Sequence, residues 1–169
     1  MPRTRSQSFG FAFITVVITV HLFVFYNLSF VEGRTLAELE EYGVPIFGHP
    51  SPIWAVVLVE FICALLLEVL ICSPASLKLA FRVVNPAQDR PFIVQSAIIS
   101  ATACLMCPLM SLIATIIYTW GFISDFWAFM AQWLRTIMHN LPVAILSQLF
   151  FIQPLVRGIF GVIYRKQGA

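Results

Sequence analysis

The chain has 169 residues, of which 60% are hydrophobic and 11% charged, and its formal net charge is +2. Soluble domains of this length hold about half apolar and about a quarter charged residues, so a water-facing globule is excluded and lipid is the expected solvent. Without a basic stripe interleaved with aromatics, nucleic acid is excluded as a partner, and the bilayer takes that place.

The first apolar run extends from Phe9 to about Phe30. Arg3 and Arg5 precede it as in a secretory leader. The run is too long for one, and its end, Asn27-Leu28-Ser29-Phe30-Val31-Glu32, lacks a small-x-small cleavage site. It reads as a retained transmembrane helix. A polar segment from Val31 to Pro50 follows, in which Thr35-Leu36-Ala37-Glu38 has the form of a capping box opening a short surface helix. Ser51-Pro52 reads as N-cap and first-turn proline of a second span, Ile53 to about Cys72, which Pro74 should kink or end. Asn85-Pro86 to Pro91 is a break. The third span, Phe92 to about Phe122, exceeds what a perpendicular helix needs, and a kink at Pro108 or a tilt can absorb the excess. Asp125 caps a last helical stretch, Phe126 to Ile163, whose membrane portion is expected near Leu134–Val156. The expected fold is therefore all-α and integral to the membrane, with four transmembrane helices.

Basic residues orient this bundle. Arg3, Arg5, Lys78, Arg82, Arg90, Arg157, Arg165 and Lys166 fall on one side. The opposite loops hold Arg34, an edge residue Arg135, and the acids Glu32, Glu38, Glu40, Glu41 and Asp125. Both termini are expected to be cytoplasmic. Trp54, Trp120, Trp127 and Trp133 then form a belt at the outer face.

The halves resemble each other. Tyr26 set on Tyr118 brings Thr19 to Ser111 and Asn27 to Thr119. Trp54 set on Trp133 brings Lys78 to Arg157 and Glu60 to His139. Two tandem helical hairpins follow, residues 1–86 and 87–169, as parallel repeats about an axis along the membrane normal. The alternative is the ordinary likeness of any two apolar hairpins.

Several stretches resemble the family of domain of unknown function 2798: Pro108-Leu109-Met110-Ser111-Leu112-Ile113 to Gly121, Phe126-Trp127 to Trp133-Leu134-Arg135, Pro142-Val143-Ala144, and Gln153-Pro154-Leu155-Val156-Arg157. The second half carries the resemblance well and the first loosely, since it has no proline matching Pro142 and places Ser73-Pro74-Ala75-Ser76 against Gln153-Pro154-Leu155-Val156. The resemblance implies small two-helix bacterial membrane modules, sometimes in tandem. It implies no activity.

Glu60 and Glu68 are the candidate functional groups of span two. A charge at the bilayer centre costs between about 3 and 10 kcal/mol, so such residues face a bundle interior or water, or are protonated. Eight residues separate them, about 80° around the helix and about 12 Å along it, which suits successive stations for a proton. His21 in span one and His139 and Asn140 in span four join them as candidate binding or proton-coupling residues. His139 is the expected partner of Glu60, with His21 the fallback. Asn140-Leu141-Pro142 would free backbone carbonyls, as at transporter sites. For each of these groups the competing role is a hydrogen bond between helices. Gln148 and Gln153 read as packing contacts. Cys104 and Cys107 have redox spacing, flanked by Met106 and Met110, but with no cation to lower a thiol pKa they, with Cys63 and Cys72, read as packing groups. No phosphate loop, nucleophilic triad or zinc signature occurs, so no enzyme activity, metal or cofactor is expected. A haem bound by two histidines ranks last.

These features point to a small proton-coupled transporter or permease component whose substrate, a small molecule or ion, is unreadable. The competing class is a non-transporting accessory protein. A four-helix bundle is expected to enclose little lumen, so transport would call for a homo-oligomer.

Overall fold

The computed structural model describes residues 5–121 and 125–164. Arg3, Arg165 and Lys166, which entered the orientation argument, and Phe122, the expected end of the third span, lie outside them. The fold is helical: α1 (Arg5–Phe25), α2 (Leu36–Tyr42), α3 (Ile53–Leu67), α4 (Ser73–Ala80), α5 (Pro91–Thr119), α6 (Phe126–Ser147) and α7 (Gln153–Tyr164), with two short strands, β1 (Val44–Ile46) and β2 (His49–Ser51).

Three widened π-helical turns extend these helices: Tyr26–Val31 continues α1, Glu68–Cys72 joins α3 to α4, and Gln148–Ile152 joins α6 to α7. The result is four continuous helices long and apolar enough to cross a membrane, Gln7–Val31, Ile53–Ala80, Pro91–Thr119 and Phe126–Ile163. The second span therefore does not end at Pro74. A widened turn precedes Ser73-Pro74 and another precedes Gln153-Pro154. The extra residue in each turn accommodates a proline that cannot donate to the helix ladder, and the chain passes through.

The local caps follow the sequence. Thr35 and Glu38 form both halves of the capping box, and the Asp125 carboxylate accepts from the Ala128 amide at 3.0 Å. Ser51 differs from its expected role: it ends β2, its hydroxyl donates to the His49 carbonyl, and Pro52 stands at the N-cap of α3. The β-hairpin was not expected, because it carries paired prolines, Pro45 and Pro50, which leave few amides for a ladder. Its Phe47-Gly48 turn has positive φ at both residues, as a type I′ turn requires. Phe47 also donates its amide to the Ile117 carbonyl at 2.9 Å, tying the loop to the last turns of α5.

α1 packs on α3 and on α7, and α5 packs on α4 and on α6. Only between 17% and 28% of the most apolar stretch of each long helix is buried within the protein. The outward faces carry large apolar side chains such as Leu58, Leu66, Leu70 and Phe150, a surface that water would not stabilise.

Burial also bears on how the halves would compare. Ala64, Cys72, Ser76 and Ala80 are buried, and so are Ala144, Ile152, Val156 and Phe160, each eighty positions later. The Trp54–Trp133 register, seventy-nine positions, would instead set fully buried Cys72 and Ser76 against Phe151, 70% exposed, and Leu155, 53% exposed. One residue turns a helix by about 100°, so a one-residue slip puts the wrong face inward. In the eighty-position register Asn140, and not His139, stands against Glu60. In the first helices the same comparison sets buried Val16, Val20 and Val24 against buried Cys107, Ser111 and Thr115, ninety-one positions on, and Asn27 against Tyr118.

Candidate functional site

The four long helices surround a cavity of about 1180 Å³ lined by residues of every one of them and of the connection between the first two. Along α5 the lining runs from Pro91 to Thr119, roughly 40 Å of helix at about 1.5 Å per residue, which exceeds a hydrocarbon core of about 30 Å. A single chain thus carries a half-open cavity along its bundle, more space than was expected of a bundle alone. Packing does not fill it because the facing positions are small or polar: Ala64, Ala103, Ser111, Thr115 and Ala144 all line it.

Glu60, Glu68, His139 and Asn140 line the lumen together. His21 does not: it is exposed, and its Nδ1 lies 2.8 Å from the Val17 carbonyl of its own helix. The partner of Glu60 is neither histidine. Tyr118 on α5 donates its phenol O–H to the Glu60 carboxylate. Tyr118 marks its half in the sequence only as an aromatic near a helix end, and nothing local shows which helix it faces. His139 is exposed on the lumen wall.

Cys72 Sγ lies 3.6 Å from Met106 Sδ, and with the Tyr118–Glu60 bond this shows span two running antiparallel to α5. Glu68, about one turn before Cys72, therefore lies near the depth of Met110. On the other flank Ala144 packs on Ala103 and Cys107. Earlier along α6, Trp133 Nε1 donates to the Pro108 carbonyl at 3.0 Å. Asn140 is 8% exposed, and among the described residues its Oδ1 has no hydrogen-bond partner. A buried acceptor left so costs about 1–3 kcal/mol.

Other polar groups extend the lining. Gln148 Nε2 donates to Thr19 Oγ1 at 2.9 Å, a bond between helices as packing contacts should make, and Thr19 donates in turn to the Thr15 carbonyl at 2.7 Å. Arg157, expected only as a basic flank, lines the lumen and donates to Gln95 Oε1. Arg34 and Arg135 line it as well, and Arg34 donates to the Gly43 carbonyl at 2.6 Å. The cysteines do not assemble: Cys107 is buried beside Ser111, whereas Cys104 is exposed. No group of three metal-ligating side chains occurs among the described residues.

Comparison with known proteins bears on one half. Residues 93–164 match the family model described as Domain of unknown function (DUF2798). The DUF2798 match spans α5 to α7 and carries Tyr118, His139, Asn140, Gln148 and Arg157. Glu60 and Glu68 lie outside it. No curated protein and no solved structure matches the chain.

Proposed function

We propose that this protein is a small transporter of the bacterial plasma membrane that moves a solute through its lumen with proton coupling. The carrying observation is the cavity along the bundle into which both Glu60 and Glu68 project. A carboxylate at membrane depth is costly unless it serves a wet pathway or finds a partner. Glu60 has Tyr118 as partner, while Glu68 has the lumen. His139 and Asn140, from the facing span, complete the polar lining, and the proton stations are the two carboxylates.

The four helices are read as two tandem parallel hairpins, residues 1–86 and 87–169. Support comes from the shared buried positions and from the widened turn before each Ser-Pro or Gln-Pro. In this reading the Glu60–Tyr118 contact has the pair Asn140 and Asn27 as its counterpart. Both termini are placed in the cytoplasm by the basic flanks.

The test is flux in proteoliposomes, with a panel of candidate solutes and a pH gradient. Glu60→Gln keeps the side chain's size and an acceptor for Tyr118, so the fold should survive while pH-dependent flux disappears. Undiminished pH-dependent flux would remove Glu60 from the coupling.

A further inference from the structure

We propose that Cys72 and Met106, joined by Met110, form a binding site for a soft monovalent metal ion, copper(I) or silver(I), in the wall of the lumen. The site goes beyond the transport reading and does not require it.

Spacing along the chain pairs Cys104 with Cys107, but the fold brings a different sulfur pair together. Cys72 Sγ lies 3.6 Å from Met106 Sδ, where span two packs on α5. Bonds of about 2.3 Å to one ion in a trigonal set hold sulfurs about 4 Å apart, so the pair needs only a small opening to share one. Met110 follows one turn on, and side chains at that spacing share a helix face. Both methionines line the lumen and pack on the core cluster that holds Ala64, and three rotatable bonds let the second thioether turn toward the first. Glu68 begins the widened turn that ends at Cys72. It lines the lumen and lies close enough to act on the Cys72 thiol electrostatically, so its oxygens favour a cation beside the sulfurs. Widened turns of this kind recur at functional sites. Thiolate and thioether ligands select soft ions such as copper(I). Counting histidine, cysteine and carboxylates alone, no three converge among the described residues, which leaves zinc without its usual four ligands. On binding, the S–H bond of Cys72 breaks and a sulfur–metal bond forms. The proton leaves through the lumen, and the ion keeps its single charge.

The experiment is equilibrium dialysis of the full chain in dodecyl maltoside, carrying Cys63→Ala, Cys104→Ala and Cys107→Ala, against silver nitrate in chloride-free buffer with free histidine as competitor. One silver ion per chain should bind, and Cys72→Ala should abolish it. Met106→Leu keeps the volume and the Cys72 thiol, and it should weaken silver by about tenfold or more. X-ray absorption at the silver edge should show about two to three sulfur neighbours, and one fewer in Met106→Leu. Silver should also raise the unfolding midpoint in mixed micelles, and do so less in Met106→Leu, whose metal-free midpoint reports whether its fold is intact. If the alanine background does not fold, the same comparison in wild type, where Met106→Leu should remove one tight silver site, decides the question. Unchanged silver affinity in a folded Met106→Leu variant, a single sulfur neighbour before that substitution, or equal binding of zinc(II) would overturn the proposal.

Discussion

Replacing Tyr118 by phenylalanine removes one oxygen and leaves the ring in place, so its effect isolates the bond to Glu60. In a sealed core, an orphaned polar group would cost about 1–3 kcal/mol. Hydrogen bonds between membrane helices average about 0.6 kcal/mol and reach about 1.7. Glu60 is half-buried and borders the lumen, so water can replace part of the lost bond, and the expected loss is about 1 kcal/mol. The assay is reversible unfolding in mixed dodecyl maltoside and SDS micelles, followed by tryptophan fluorescence. Glu60→Leu and the double variant complete the cycle. A coupling energy of about 1 kcal/mol is expected, because removing both partners leaves nothing unpaired. Glu60→Gln, which keeps an acceptor, should couple to Tyr118 nearly as wild type does. A coupling energy within about 0.3 kcal/mol of zero, the limit of additivity for independent sites, would refute the contact as an energetic unit.

For topology, single cysteines introduced in a cysteine-free background at Glu41 and Gln88 should react oppositely with a membrane-impermeant maleimide: Glu41 from outside intact cells, Gln88 only after lysis. The reverse pattern would overturn the orientation. Glu38 gives a pH signature in the connection between the first two long helices. The backbone amide and hydroxyl of Thr35 hold its carboxyl below the ordinary carboxylate range, with Arg34 adding to the effect. A depressed folded pKa contributes stability that is present above the unfolded value and lost as pH falls through the folded one. The Thr35 amide, which donates to Glu38 at 2.7 Å, should therefore lose exchange protection, corrected for intrinsic rate, as pH drops below about 4. Protection unchanged down to about pH 2 would show that the box does not govern this turn.

Length, hydropathy and caps were legible in the sequence because they are local. A run of about twenty apolar residues has few alternatives to a spanning helix, and Thr35 and Asp125 cap through amides only three residues away. The candidate carboxylates were legible too, since their cost depends on the helix that carries them. What faces what was not. The Trp54–Trp133 pairing differs by one residue from the register in which buried positions coincide, because tryptophans follow the interface and not the packing face. In the latter register Asn140, and not His139, stands against Glu60. The partnership of Glu60 with Tyr118 joins residues fifty-eight positions apart, and neither has a neighbour that announces the other. The lumen likewise needs four helices held apart by small and polar side chains that, along the chain, look like ordinary packing residues. Periodicity sets each helix and its faces, but the rotation of one helix against the next is decided by contacts among all of them, and these exist only in the assembled bundle.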